Sequence, residues 1–130
     1  MKILIAEDDI SCQLVIKKML TSYGVCTVVK NGQEAVKAFI DGHNNSKPFD
    51  LICLDIMMPV MDGQEALQEI RSWENTNGIS GKDIVKIIMT TALDDNENIM
   101  KSFRAQCEAY IVKPIDKKKL IAELLLLGLI

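Results

Sequence analysis

Short apolar runs rich in β-branched residues alternate along the whole chain with longer segments of helical periodicity. Such alternation is typical of a parallel sheet that is covered by helices on both faces. We predict five strands, at Lys2 to Ala6, Val25 to Val29, Leu51 to Leu54, Val85 to Thr90, and Ala109 to Val112. The first and third runs are almost wholly apolar, as expected of buried central strands. The sequence therefore predicts a doubly wound α/β fold.

Five helices are predicted in the segments between and after these runs. They are expected from about Leu14 to near Gly24, from Gln33 to Ile40, from Gly63 to Trp73, from Asn98 to Arg104, and from Asp116 to about Leu127. We interpret Asp9, Asp62 and Asp116 as helix caps, because each directly precedes a helical pattern whose first amides need acceptors. The polar stretches Asp41 to Pro48 and Glu74 to Lys82 are predicted loops.

The bulk composition limits what the chain can do. At 130 residues it is expected to be a single domain, residues 1–130, with no room for a second one. A net charge of -3 argues against direct binding of nucleic acid. The sequence opens without a secretory leader, so a cytoplasmic location is expected. The four scattered cysteines are interpreted as small buried apolar residues, and the lone His43 as a surface loop residue.

Acidic residues directly follow two of the predicted strands. Glu7 and Asp8 come after the first strand, and Asp55 comes after the third. Ligands of parallel α/β sheets bind beyond the carboxyl ends of the strands, so these acids should meet if the two strands are neighbours. Clustered carboxylates repel one another unless a cation intervenes, and oxygen ligands favour a hard ion. The sequence therefore predicts a Mg²⁺ site, completed by the backbone carbonyl of Met57.

A hydroxyl and an ammonium are expected at the same edge of the sheet. Thr91 and Ala92 end the fourth strand, and Lys113 ends the fifth. Phosphoryl transfer needs positioned groups that neutralise charge on the phosphoryl oxygens. We interpret Asp55 as the nucleophile, Lys113 as a fixed positive charge, and Thr91 as a donor to a phosphoryl oxygen. Ala92 is small enough to leave room beside it.

Four motifs in order carry a resemblance to a known family. They are Ile3 to Asp9, Asp50 to Gly63, Ile88 to Ala92, and Tyr110 to Pro114. On these motifs the whole chain resembles the response-regulator receiver domains of two-component signalling. The resemblance implies a flavodoxin-like, five-stranded parallel sheet of order 2-1-3-4-5, with five helices on its two faces. It also implies that this chain holds a single receiver domain without an effector domain.

The resemblance further implies a chemistry and a set of partners. A phosphohistidine on a sensor histidine kinase or a histidine phosphotransfer protein is expected to phosphorylate Asp55. Mg²⁺ is required, with Mn²⁺ as a substitute, and the phosphotransfer and dephosphorylation are slow and self-catalysed, so the domain is not an enzyme. An unidentified downstream effector is expected to respond. The Lys113-Pro114 peptide is expected to be cis.

Two further pairs of residues gain roles from the resemblance. Thr91 and Tyr110 are expected to move together and to switch the surface formed by the fourth helix, fifth strand and fifth helix. A half-buried packing role is the alternative for Tyr110. Met57 and Leu93, two residues after the aspartate and the threonine, are expected to tune dephosphorylation. Two apolar side chains there should hinder the attacking water and prolong the phosphorylated state.

Two other classes of protein share part of this pattern of residues. A phosphatase with an aspartyl-phosphate intermediate also places an aspartate after a strand, but it needs a second acid where Met57 stands. An idle receiver-like interaction module would not need Thr91 and Lys113 beside Asp55.

The segment Leu124 to Leu127 is apolar on every side and too short to cross a membrane. A second copy pairing through the fifth helix, or a downstream segment, would cover it.

Overall fold

Five parallel strands form one sheet in the order β2-β1-β3-β4-β5. The structure, a computed structural model, describes residues 1–92 and 96–130. The strands are β1 Lys2–Ala6, β2 Val25–Val29, β3 Leu51–Asp55, β4 Lys86–Thr91 and β5 Ala109–Val112. The fold class and the strand order are confirmed. β3 is longer than predicted by one residue, Asp55, and β4 is shifted by one residue towards the carboxyl end.

The sheet is buried on both faces at its centre. Every residue of β3 is buried, as are all residues of β1 except Lys2. Their side chains alternate between two apolar clusters, with Ile3 and Ile5 on one face and Leu4 and Ala6 on the other. This double burial explains why both strands appear in the sequence as almost wholly apolar runs.

Helices cover the two faces of the sheet. They are α1 Ile10–Leu20, α2 Gly32–Asn44, α3 Gly63–Thr76, α4 Asn96–Arg104 and α5 Lys117–Leu126, with a short 3-10 turn at Gly81–Asp83. α1 and α5 pack on one face through Leu20 and Leu124, and α2 and α3 pack on the other through Phe39 and Leu67. The helices do not cover the carboxyl ends of the strands, and the loops there form a rim along this edge of the sheet.

The three predicted helix caps are confirmed. Asp9 accepts a hydrogen bond from the amide of Cys12, Asp62 from that of Glu65, and Asp116 from that of Lys118. Each bond satisfies one of the free amides at a helix start. Asp9 thereby anchors the loop that carries Glu7 and Asp8, and Asp62 anchors the loop that follows Asp55.

The predicted loops after α2 and α3 begin too early. α2 continues to Asn44 and therefore contains His43, which is not a loop residue. Its ring packs 4.9 Å from that of Phe39 and 5.0 Å from that of Trp73, measured between centroids. This aromatic packing between α2 and α3 outweighs the weak helix propensity of the polar residues around it. α1 also differs, because it begins at Ile10 and ends at Leu20, before Gly24.

All four cysteines are free thiols. Cys53 and Cys107 are buried as predicted, whereas Cys12 and Cys26 are only partly buried. Burial raises the pKa of Cys53 to about 12, so this thiol is neutral at physiological pH. The Lys113-Pro114 peptide is cis, as the resemblance implied. Within the described ranges, none of the helices is both long enough and apolar enough to span a membrane.

Candidate functional site

The carboxyl ends of four strands bring the predicted site residues to one edge. Glu7 follows β1, Asp55 and Thr91 are the last residues of β3 and β4, and Lys113 follows β5. Strand pairing sets their neighbours, since Asp55 lies opposite Thr90 and Thr91 lies opposite Val112. The structure therefore brings together side chains that are far apart in the sequence.

Three carboxylates converge at this edge. Glu7, Asp8 and Asp55 each offer an oxygen, and these atoms all lie within 4.8 Å of one another. Glu7 and Asp55 are 1% and 3% exposed, whereas Asp8 is exposed to solvent. Two acids are thus held in the protein and one faces outwards.

Lys113 balances part of this negative charge. Its Nζ atom lies 2.7 Å from Oε2 of Glu7 and 3.3 Å from Oδ2 of Asp55. Burial alone would lower the pKa of Lys113, but the hydrogen bond to Glu7 and the charge of Asp55 together raise it above its ordinary value. The ammonium is therefore a permanent positive charge that contacts both buried acids.

The charge on Asp55 remains costly despite this lysine. Burial, and next the charge of Glu7, raise the pKa of Asp55 to about 6, while Lys113 opposes the shift. Carboxylate oxygens are the donors that hard divalent cations prefer, and additional positive charge would favour the ionised acid. The residues at this edge therefore fit a Mg²⁺ ion.

Met57 lies in the loop between β3 and α3, two residues beyond Asp55. Its side chain is 71% exposed. The assignment of its backbone carbonyl as a metal ligand stays a prediction, as does the effect of its side chain on dephosphorylation. Leu93, the second residue assigned to that effect, lies outside the described residues.

Thr91 is buried at the end of β4, and Ala92 next to it is exposed. The backbone carbonyl of Thr91 accepts a hydrogen bond of 2.6 Å from the amide of Lys113. This bond extends the pairing of β4 with β5 beyond the last residue of β5. It therefore couples the threonine and the lysine through the main chain.

Tyr110 lies on β5 and is 38% exposed. Its ring meets that of Phe103 on α4 edge to face, with centroids 5.7 Å apart and planes at 83°. Both rings line a surface groove of about 700 Å³ whose other wall includes Lys119 and Glu123 of α5. The aromatic residue predicted to switch thus lies on the surface shared by α4, β5 and α5.

Two residues that support the site were not singled out from the sequence. A Cβ atom at Gly63 would lie 2.1 Å from the backbone carbonyl oxygen of Asp55, so only glycine lets α3 begin this close to the acid. Gln13 of α1 donates from its side chain to the backbone carbonyl of Glu7. The glycine after the Asp62 cap was a usable signal, but the glutamine gave none.

Fold and site together define a doubly wound domain with an acidic, lysine-containing pocket at the carboxyl edge of its sheet. A family model described as the response regulator receiver domain matches residues 3–125. The chain belongs to this family of two-component signalling domains, whose members bind Mg²⁺ at an acidic pocket.

Curated relatives agree with this assignment. The chain is 34% identical over 120 residues to the hybrid signal transduction histidine kinase I of Dictyostelium discoideum, a match that covers 92% of this chain and 7% of that protein. It is 30% identical over 119 residues to the regulatory protein VanRB of Enterococcus faecalis, covering 92% of this chain and 48% of that protein. The chain thus spans less than half the length of these relatives.

Solved structures show the same fold. A chain of the CheX-CheY-BeF3-Mg complex from Borrelia burgdorferi superposes with a TM-score of 0.81 at 25% identity, covering 98% of this chain and 88% of that one. The complex of the Saccharomyces cerevisiae phosphotransfer protein Ypd1 with the receiver domain of Ssk1 also matches, at a TM-score of 0.81 and 29% identity, covering 93% and 83%.

Proposed function

We propose that this chain accepts a phosphoryl group on Asp55 as the receiver of a two-component phosphorelay. The observation that carries the proposal is the buried carboxylate of Asp55 with the ammonium of Lys113 3.3 Å away. Two further acids lie beside it, which makes the pocket suited to a cation and a transferred phosphoryl group.

The transfer forms one bond and breaks one. An oxygen of Asp55 attacks the phosphorus of a phosphohistidine, a P–O bond forms, and the P–N bond breaks with its electron pair left on the imidazole. Lys113 neutralises charge that develops on the phosphoryl oxygens, and the hydroxyl of Thr91 donates a hydrogen bond to one of them. Ala92 is small and leaves this approach open.

A divalent cation, Mg²⁺ or in its place Mn²⁺, would supply further charge neutralisation when bound. The residues that would hold it are Asp8, Asp55 and the backbone carbonyl of Met57, with Glu7 reaching it directly or through water. The exposed position of Asp8 beside two buried acids supports this assignment.

The signal would leave through Thr91 and Tyr110. Movement of the threonine towards a phosphoryl group would allow Tyr110 to turn inwards, away from Phe103. Such a change shifts the population between two states of the α4, β5 and α5 surface. The partly exposed ring of Tyr110 and the groove beside it support this surface as the site that an effector reads.

The phosphodonor would be a sensor histidine kinase or a histidine phosphotransfer protein that docks on the rim. Large apolar side chains are exposed near the acids, namely Ile10 and Leu14 on α1 and Met57 and Val60 after β3. Exposed apolar side chains around an acidic pocket favour a protein partner over a small-molecule substrate.

Residues 1–130 would act as one cytoplasmic receiver domain. The exposed side chains of Leu125 and Leu126 on α5 support pairing with a second copy through this helix. The output would then depend on an effector outside this domain.

The decisive experiment is incubation with acetyl phosphate and Mg²⁺, followed by intact mass measurement. We expect a gain of one phosphoryl group in the wild type and none in Asp55→Asn. The control Asp62→Asn should show an undiminished gain, because asparagine caps a helix about as well as aspartate does. Release of phosphate over many turnovers would instead identify an aspartyl-phosphate phosphatase. No gain in the wild type would identify an idle interaction module.

A further inference from the structure

The loop between β1 and α1 is held by a side chain from within α1. Gln13 is partly buried, and its Nε2 atom donates a hydrogen bond of 2.5 Å to the backbone carbonyl of Glu7. Its own backbone amide donates to the carbonyl of Asp9 as an ordinary helical bond of 2.9 Å. The side chain therefore reaches back across the loop that carries the acids.

This contact completes the set of partners around Glu7. The amide of Glu7 donates to the carbonyl of Val29, its Oε1 atom accepts from the amide of Asp9, and its Oε2 atom accepts from Lys113. With Gln13 on the carbonyl, every polar group of this buried residue is bonded. Glu7 is therefore fixed at both its main chain and its side chain.

The hydrogen bond to the carbonyl of Glu7 also orients the backbone of Asp8. The carbonyl of Glu7 and the amide of Asp8 belong to one planar peptide group, so holding one orients the other. Asp8 is the exposed acid of the three, and its oxygen lies within 4.8 Å of those of Glu7 and Asp55. Loops are more mobile than the elements they connect, so holding this peptide limits the positions that the carboxylate of Asp8 can reach.

The neutrality of Gln13 suits the charge at this edge. Three carboxylates and one ammonium leave two net negative charges, which match a divalent cation. A lysine or arginine in place of Gln13 would add positive charge and compete with the ion. A glutamine holds the loop without changing that charge.

We propose that Gln13 is a positioning residue for the divalent cation, acting through the peptide of Glu7 to preorganise Asp8. The proposal rests on the metal site of the proposed function but not on phosphoryl transfer. Its consequence is a specific loss of metal affinity when the amide group is removed.

The test is the dissociation constant of Mg²⁺, measured by calorimetric titration of the unphosphorylated chain, with urea unfolding in EDTA as the second readout. Gln13→Met keeps the length and removes the donor, and we expect its dissociation constant to rise about threefold to tenfold. The matched control is Gln68→Met, an exposed position on α3, which should leave the constant unchanged.

Gln13→Glu separates positioning from simple electrostatics. Its carboxylate cannot donate to the carbonyl of Glu7, so we expect weaker Mg²⁺ binding despite the added negative charge. Tighter binding in this variant, or an unchanged constant in Gln13→Met, would overturn the proposal. A loss of metal-free stability alone, with the constant unchanged, would reduce Gln13 to a structural role and overturn it as well.

These readouts are independent of the proposed phosphoacceptor role. If the wild type binds Mg²⁺ and Gln13→Met binds it less tightly, the inference stands even when acetyl phosphate adds no mass. If the wild type is phosphorylated but the two dissociation constants agree, only the inference fails.

Discussion

Asp55 is a carboxyl group that its surroundings make harder to ionise. Its pKa in the folded chain is raised from an ordinary value of 3.8 to about 6, first by burial and then by Glu7. The folded state therefore binds the proton more tightly than the unfolded state does. The contribution of this proton to the free energy of unfolding is complete below about pH 4 and is lost as the pH rises through about 6.

Asp55→Asn should remove this pH dependence. In EDTA, we expect the free energy of unfolding of the variant to exceed that of the wild type by about 1–2 kcal/mol at pH 8, and by much less at pH 4.5. Urea denaturation at several pH values measures the difference. Excess Mg²⁺ should narrow the gap at pH 8, because an ion bound at the proposed site would stabilise the wild type. An excess of equal size at both pH values would contradict the assigned cause.

Met57 is an exposed apolar side chain beside the proposed phosphoacceptor. If it hinders the water that attacks the aspartyl phosphate, Met57→Asn should shorten the lifetime of the phosphorylated state several-fold. Leu93→Glu should do the same. Decay of phosphorylated protein, followed by intact mass after removal of the donor, measures the rate. Unchanged or slower decay in both variants would refute the hypothesis.

Val60 has a backbone conformation that β-branched residues avoid. Its φ angle is +68°, and the amide of Met61 donates to the carbonyl of Pro59 across it, as in a γ-turn. Because the side chain is 77% exposed, glycine would remove this strain without leaving a cavity. We expect Val60→Gly to raise the free energy of unfolding by about 1 kcal/mol. Val60→Ala, which keeps a Cβ atom, should gain less, and a loss of stability in Val60→Gly would contradict the argument.

At the scale of elements, Arg71 ties α3 to the amino ends of β4 and β5. Its guanidinium donates two bonds of 2.9 Å to the carboxylate of Glu108, which precedes β5, and one of 2.7 Å to Glu74. It also donates to the carbonyls of Val85 and Gln106. Glu74 and Glu108 in turn accept from the amides of Val85 and Ile87. The network lies at the opposite edge of the sheet from the acidic rim.

Without the guanidinium, the carboxylates of Glu74 and Glu108 would stay largely shielded from solvent and would lose their ion pairs with Arg71. We expect Arg71→Met to lower the free energy of unfolding by about 3–5 kcal/mol and Arg71→Lys to lower it by less. Burial already raises the pKa of Glu108, so the loss should grow as the pH rises from 5 to 8. Urea denaturation measures both effects. An equal loss in the two variants would show that the fork of hydrogen bonds, not the charge, matters.

The helix boundaries that could be predicted from the sequence are those set by local interactions. The starts of α3 and α5 followed from Asp62 and Asp116, because a cap is a local interaction. The end of α2 did not, because its last turn is held by contact between His43 and Trp73 of α3. Such a contact depends on where two helices pack, which no local pattern contains.

At the scale of the whole molecule, the exposed face of α5 bears on assembly. Leu125 and Leu126 are 59% and 80% exposed, although Leu120 and Leu124 of the same helix are buried. If α5 pairs two copies, Leu126→Glu should raise the dissociation constant of the dimer at least about tenfold. Sedimentation equilibrium measures it, with Leu14→Glu, an exposed position on α1, as the control. A wild type that stays monomeric at the highest concentration would exclude this pairing.

The sequence by itself determined the order of elements, the fold class and the identity of the rim residues. Apolar periodicity and strand ends are local properties, and the rim residues directly follow or end those strands. Tertiary structure alone decided that Lys113 contacts Glu7 at 2.7 Å across 106 residues, that Gln13 holds the loop, and that Arg71 joins two acids. These contacts depend on the packing of distant elements, and packing sets distances that no spacing along the chain can give.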